Sequence, residues 1–202
     1  MPRKSLPLRA AALAFLACAA AAGTRAAEDP VYTARGELVP PAGYREWVYL
    51  STGLNMSYLP RPAGAAHDMF SNVFVNPQAY REFLRTGTWP DHTMLVLEVR
   101  GATNKGSINQ EGFYQNAQIM GVEVHVRDRT RFTGGWAFFG TNGGKPAAQL
   151  PYTADCYGCH REHAAVDTTF VQFYPTLMEV ARQKATLSPA YVSEESKSKP
   201  AP

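Results

Sequence analysis

The hydrophobic and polar positions of this chain change period several times, and each change marks an element. Residues 44–54 are rich in aromatic and β-branched types and predict a strand. Residues 55–68, with Pro60, Pro62 and Gly64, predict a loop, and Met69 to Val75 a second strand. Asn76-Pro77 predicts a helix start, with asparagine as cap and proline in the first turn. Tyr80, Phe83 and Leu84 then keep helical spacing until Gly87. Thr93 to Arg100 predicts a third strand, and residues 104–112 a polar loop. Phe113 to Arg127 predicts one or two more strands, with Val122, Val124 and Val126 on one face and Glu123 and His125 on the other. Trp136 to Gly140 predicts another, followed by a turn at Asn142-Gly143-Gly144. Phe170, Phe173, Tyr174, Leu177 and Met178 repeat at helical spacing around Pro175, which starts or kinks the helix, and these aromatics read as core. From Ser188 to residue 202 the chain is rich in Ser, Lys and Pro and predicts a disordered tail. The pattern predicts one α+β domain over residues 28–187, mainly antiparallel β sheet with a few helices and no internal repeat.

Composition then narrows the class. Of the 202 residues, 45% are hydrophobic and 18% charged, which suits a packed core and excludes a solvated tail protein. The first 27 residues hold Arg3, Lys4, Arg9 and Arg25 and no acid, so without them the net charge falls from +3 to −1. A near-neutral remainder gives no electrostatic case for nucleic acid. Those 27 residues have a basic start, an apolar run from Ala10 to Ala22, and small residues before Glu28-Asp29. This is the layout of a cleaved export signal, with cleavage near Ala26 or Ala27, and the run is too short to span a bilayer. No other stretch is long enough to do so, so a periplasmic location is expected.

Three cysteines remain to be explained. Cys18 leaves with the signal, and Cys156-Tyr157-Gly158-Cys159-His160 stands late in the chain. C-x-x-C-H in an exported chain is the attachment motif of one c-type haem. Two thiols add across the two porphyrin vinyl groups, and the next residue, His160, is placed to become the proximal iron ligand. A Cys156–Cys159 disulfide would close a tiny loop for little gain. A thioredoxin-like pair needs a βαβ context that is missing. A zinc site would draw on Cys156, Cys159, His160 and His163, but adjacent residues wrap one tetrahedral ion poorly. The motif also follows a five-strand β region, whereas small electron-carrying c-type cytochromes are helical and usually carry it near the N-terminus.

With these residues in view, the chain resembles the cytochrome P-460 and cytochrome c′-beta family of exported monohaem proteins. The carrying residues run in order: Tyr44-Arg45-Glu46-Trp47-Val48; Val73 to Pro77 with Tyr80; Thr86 to Trp89 with Asp91, Thr93 and Glu98. They continue through Val124 to Phe132, Trp136 to Phe138, Leu150, Thr153-Ala154, Cys156, Cys159-His160, Glu162, Phe170 and Phe173 to Pro175. The resemblance implies a twisted antiparallel sheet, a homodimer, and a haem held by His160 with its distal side open. Two activities occur in the family: P-460 members oxidise hydroxylamine, and c′-beta members bind nitric oxide in a hydrophobic pocket. P-460 members also cross-link a lysine to the porphyrin. The matching position here is Leu97, and Lys105, the nearest lysine, lies in the following loop.

That substitution sets the expected function: a five-coordinate haem that binds a small nitrogen-oxide ligand such as nitric oxide. The first alternative is hydroxylamine oxidation. Glu123 matches a distal carboxylate of P-460 members and would serve as general base, with electrons passed to a soluble cytochrome. An exposed strand carboxylate is an equal reading of the same residue. The second alternative is a plain electron carrier. Leu95 and Leu97 share a strand face with Val99 and read as a distal lid or as ordinary core. Trp89 and Phe70 are weaker distal candidates. His67, His92, His125 and His163, and Met56, Met69, Met94, Met120 and Met178, are candidates for a sixth ligand, and none singles itself out.

Overall fold

A computed structural model of the chain describes residues 29–58, 68–141 and 144–198. The expected export signal at 1–27, His67 and the Asn142-Gly143 half of the predicted turn lie outside the described residues. Five antiparallel strands form one sheet in the order in which they occur: β3 (Val48–Leu54), β4 (Met69–Val75), β5 (Met94–Thr103), β6 (Tyr114–Arg127) and β7 (Trp136–Gly140). Before it, β1 (Val31–Tyr32) and β2 (Leu38–Val39) form a two-stranded ribbon. The helices are α1 (Pro77–Thr86), α2 (Asp155–His163), α3 (Pro175–Gln183) and α4 (Pro189–Ser198). The α+β, mainly antiparallel class expected from the pattern is the class observed.

Alternation along each strand gives the sheet two apolar faces. Met94, Val96, Val124, Val126, Ala137 and Phe139 point to one face, where Leu38 of β2, Tyr44, Trp47 and Phe132 cover them. Leu50, Val75, Leu95 and Trp136 point to the other, under Ala79 and Phe83 of α1 and Leu177 and Ala181 of α3.

 The β5 residue on this second face is Leu95, 5% exposed. The helices leave part of that face open, and the cavity described below lies there.

Local chemistry explains most element ends. Pro77 opens α1 and Gly87, at φ +75°, closes it with its N–H on the Phe83 carbonyl. Asn76 occupies the cap position but its side chain does not cap. Its Nδ2 donates to the His92 carbonyl (3.1 Å) and its Oδ1 accepts from the Met94 N–H (2.9 Å), tying α1 to β5. Leu84, expected on the inner face of α1, is exposed, and Ala79 takes the inner position beside Phe83. Phe113 to Arg127 resolves into one long strand, and Pro175 starts α3 rather than kinking it. The predicted disordered tail is corrected over Pro189–Ser198, which is α4. Tyr191 packs on the core, Ser188 donates from N–H and Oγ to the Ala165 and Ala164 carbonyls, and Arg182 pairs with Glu195. Composition alone misses these contacts because they are all tertiary.

Candidate functional site

Residues 155–163 form a helix, so Cys156, Cys159 and His160 stand at i, i+3 and i+4 and share one face. Both cysteines are free and half-buried. Burial pushes the Cys156 thiol up, backbone hydrogen bonds partly oppose it, and the Glu123 and Asp155 charges add to the rise. Burial also raises Cys159, with Glu162 and Glu194 adding to it. A thioredoxin-like pair depends on a lowered thiol pKa, so these shifts speak against that reading. Among the described residues, no group of three or more His, Cys, Asp and Glu side chains is placed to hold a metal ion, which removes the zinc alternative as drawn.

A tight turn fixes His160. The Val166 and Thr169 backbones bond to each other across it, with Asp167 at φ +52°. Arg127 holds the Asp167 carboxylate at 2.8 Å. The turn presents the Thr168 carbonyl to His160 Nδ1 at 2.7 Å. That contact makes Nδ1 the protonated nitrogen and leaves the Nε2 lone pair free. Burial lowers the His160 pKa and the Thr168 hydrogen bond opposes it, so the ring is neutral near pH 7. Phe170 and Phe138 lie against it, with ring centroids at 4.2 and 4.7 Å.

His160 faces a cavity of about 310 Å³. The sheet supplies one wall, from Ser51, Ser71, Val73, Leu95, Leu97 and Glu123. Phe170, Phe173 and Tyr174 close another, with Met56 and Tyr58 near the mouth. Leu97 and Glu123 are direct cross-strand partners, as are Leu95 and His125, which fixes the strand register and puts all four on the cavity face. Two free thiols, one imidazole with a free lone pair, and an adjoining apolar cavity are the donor set that a covalently held haem needs. The residues present fit that group.

The other expectations separate here. Leu95, Leu97 and Glu123 line the cavity. Trp89 does not: it is buried against Phe83 (4.3 Å) and donates from Nε1 to Thr169 Oγ1 at 2.8 Å. Phe70 does not either, because it alternates with Asn72 and Phe74 onto the opposite face of β4. Among the sixth-ligand candidates, Met56 and His125 line the cavity. His92 pairs with Asp29 and His163 with Glu194, both at the surface. Met94 is in the core of the opposite face, Met178 packs on the α1–α3 side, and Met120 is exposed. His125 is buried and stacked on Phe138 at 3.9 Å, 5.3 Å from the His160 ring, and burial holds its pKa well below the usual value. No lysine is among the described residues that line the cavity.

Sequence reasoning missed Ser51, Ser71, Val73, Tyr58 and Tyr174 as cavity residues. Alternation from Leu95 and Leu97 to their β4 partners would have found Val73 once the register was known. The turn at Asp167 carried no readable signal, since only a positive φ at a non-glycine residue marks it. The family model described as Cytochrome P460 matches residues 41–171. Comparison with curated proteins found no match.

Proposed function

This chain belongs to the cytochrome P460 family, and from that membership we propose that it is an exported c-type cytochrome that binds a small nitrogen-oxide ligand such as nitric oxide. Membership implies a haem cofactor. Cys156 and Cys159 would hold it through thioethers, and His160 through iron. When bound, the haem would supply an iron able to take a small diatomic ligand.

The observation that carries the reading is Leu97. By the resemblance it takes the position where cross-linked members have lysine, and it presents an alkyl group to the cavity wall beside Leu95 and Val73. That stretch of wall is apolar and offers no cation, which suits a neutral diatomic ligand. The Thr168 carbonyl orients the His160 ring and makes it a stronger electron donor.

Glu123 supports a second reading, hydroxylamine oxidation. Its carboxylate lines the same cavity as the cross-strand partner of Leu97 and would take a proton from the bound amine. Electrons would then leave to a soluble cytochrome. The proposal further includes a cleaved signal at 1–27, a periplasmic location and a homodimer. Among the described residues no helix is long and apolar enough to cross a membrane.

The test is the purified holoprotein with nitric oxide, and separately with hydroxylamine and an artificial electron acceptor. The expected result is a rapid nitric-oxide-dependent change in the Soret band and no hydroxylamine turnover. A six-coordinate reduced spectrum that ignores nitric oxide overturns the ligand-binding reading. Hydroxylamine turnover that falls in Glu123→Ala establishes the second reading instead.

A further inference from the structure

Tyr174 stands at the start of α3, 7% exposed, in the core cluster with Leu50, Val75 and Leu177. Its ring is held as a core side chain is held. Its hydroxyl is not. Buried phenols and indoles normally find a partner, and Trp89 of the same cluster does so on Thr169. Tyr174 Oη makes no hydrogen bond to any described residue. Nor is it one of the polar atoms sealed away without a partner, which among the described residues are Tyr32 Oη, Arg127 Nε and Trp136 Nε1. The hydroxyl therefore keeps accessible surface although its residue is almost wholly buried, and the cavity that Tyr174 lines is the space open to it. Burial raises its pKa, so the O–H stays protonated and remains a donor throughout the neutral range. Tyr58 also lines the cavity but is exposed to solvent.

We propose that Tyr174 is a buried hydrogen-bond donor of this cavity, and that its O–H is directed to an acceptor oxygen of what the cavity holds. The proposal rests on the haem-binding reading. Under that reading two acceptors share the chemistry: the oxygen of a nitrogen-oxide ligand, and a carboxylate oxygen of a haem propionate. No lysine or arginine among the described residues lines the cavity, so neither acceptor has a cation there.

The experiment compares holoprotein with Tyr174→Phe, which removes one oxygen and keeps the ring. Nitric oxide and carbon monoxide are the probes. If the ligand oxygen is the acceptor, nitric oxide leaves about five times faster in the variant, the factor one net hydrogen bond gives. The carbon monoxide stretch then shifts and the ligand-free midpoint potential does not. If a propionate is the acceptor, the potential shifts and ligand release does not. Resonance Raman of the unmodified protein in H₂O and D₂O reads both oxygens without any variant, through the iron-carbonyl and propionate bending bands. Bands, release rate and potential all unmoved overturn the proposal while the haem-binding reading stands. A protein that takes up no haem overturns both.

Discussion

Glu98 is 2% exposed on β5 and accepts hydrogen bonds from Tyr44, Arg45 and Arg100. Burial alone would push its carboxyl up, but the hydrogen bonds from Arg100, Tyr44 and Arg45 outweigh it and hold the pKa below the ordinary value. A lowered carboxylate pKa contributes stability that is complete above the unfolded value, about 4.3, and is lost as pH falls through the folded one. Tyr44 runs the other way: burial and the Glu98 hydrogen bond raise it to about 12. Its contribution is complete below the unfolded value, about 10, and is lost as pH rises through the folded one. Urea unfolding of the native chain should therefore lose stability below about pH 4 and above about pH 10. Glu98→Ala should cost about 3 kcal/mol at pH 7, the low end for a broken buried pair, because Arg45 is half exposed and rehydrates. It should also flatten the acid limb. An acid limb unchanged by the substitution would place the acid-sensitive group elsewhere.

At the scale of elements, the C-terminal ends of α1 and α3 meet at Gly87. The Thr186 hydroxyl donates to the Gly87 carbonyl at 2.8 Å. A Cβ at Gly87 would lie 2.7 Å from Lys184 Cβ and 2.9 Å from Thr186 Oγ1, at a backbone angle that already disfavours a side chain. Gly87→Ala should cost about 2 kcal/mol from the left-handed backbone and the forced shift together. That corresponds to a melting temperature lower by roughly 4–8 °C. An unchanged melting temperature would mean that the α1–α3 junction relaxes freely. The Asn76 side chain works at the same scale, because a cap predicted from local sequence instead bridges α1 to β5.

Across the whole molecule, α4 is the element that composition hides. It touches the motif helix α2 through His163–Glu194, and its Tyr191 rests on the α1–α3 core. Truncation after Leu187 should cost about 2 kcal/mol, chiefly from uncovering Tyr191 and that core. It should also raise amide hydrogen exchange in α2 while the sheet stays protected. Equal protection of α2 with and without the tail would show that α4 is a passenger.

The C-x-x-C-H spacing singled out Cys156, Cys159 and His160, and only the structure put them on one helix face. The apolar pattern was enough to predict a mainly antiparallel sheet, the two faces of β6 and the helix from Pro77. Those features depend only on periods of 2 and 3.6 residues, which any local stretch of chain displays. Leu97 and Glu123 were each legible on a face of their own strand for the same reason, and the β5–β6 register made them neighbours. Tertiary structure alone decided which aromatics reach the cavity. It put Phe70 on the far face and Trp89 in the core, brought Tyr58 and Tyr174 to the cavity, and set the Thr168 carbonyl against His160. Each of these depends on strand register or on a turn closing distant segments, and hydrophobicity is the same on either side of that choice.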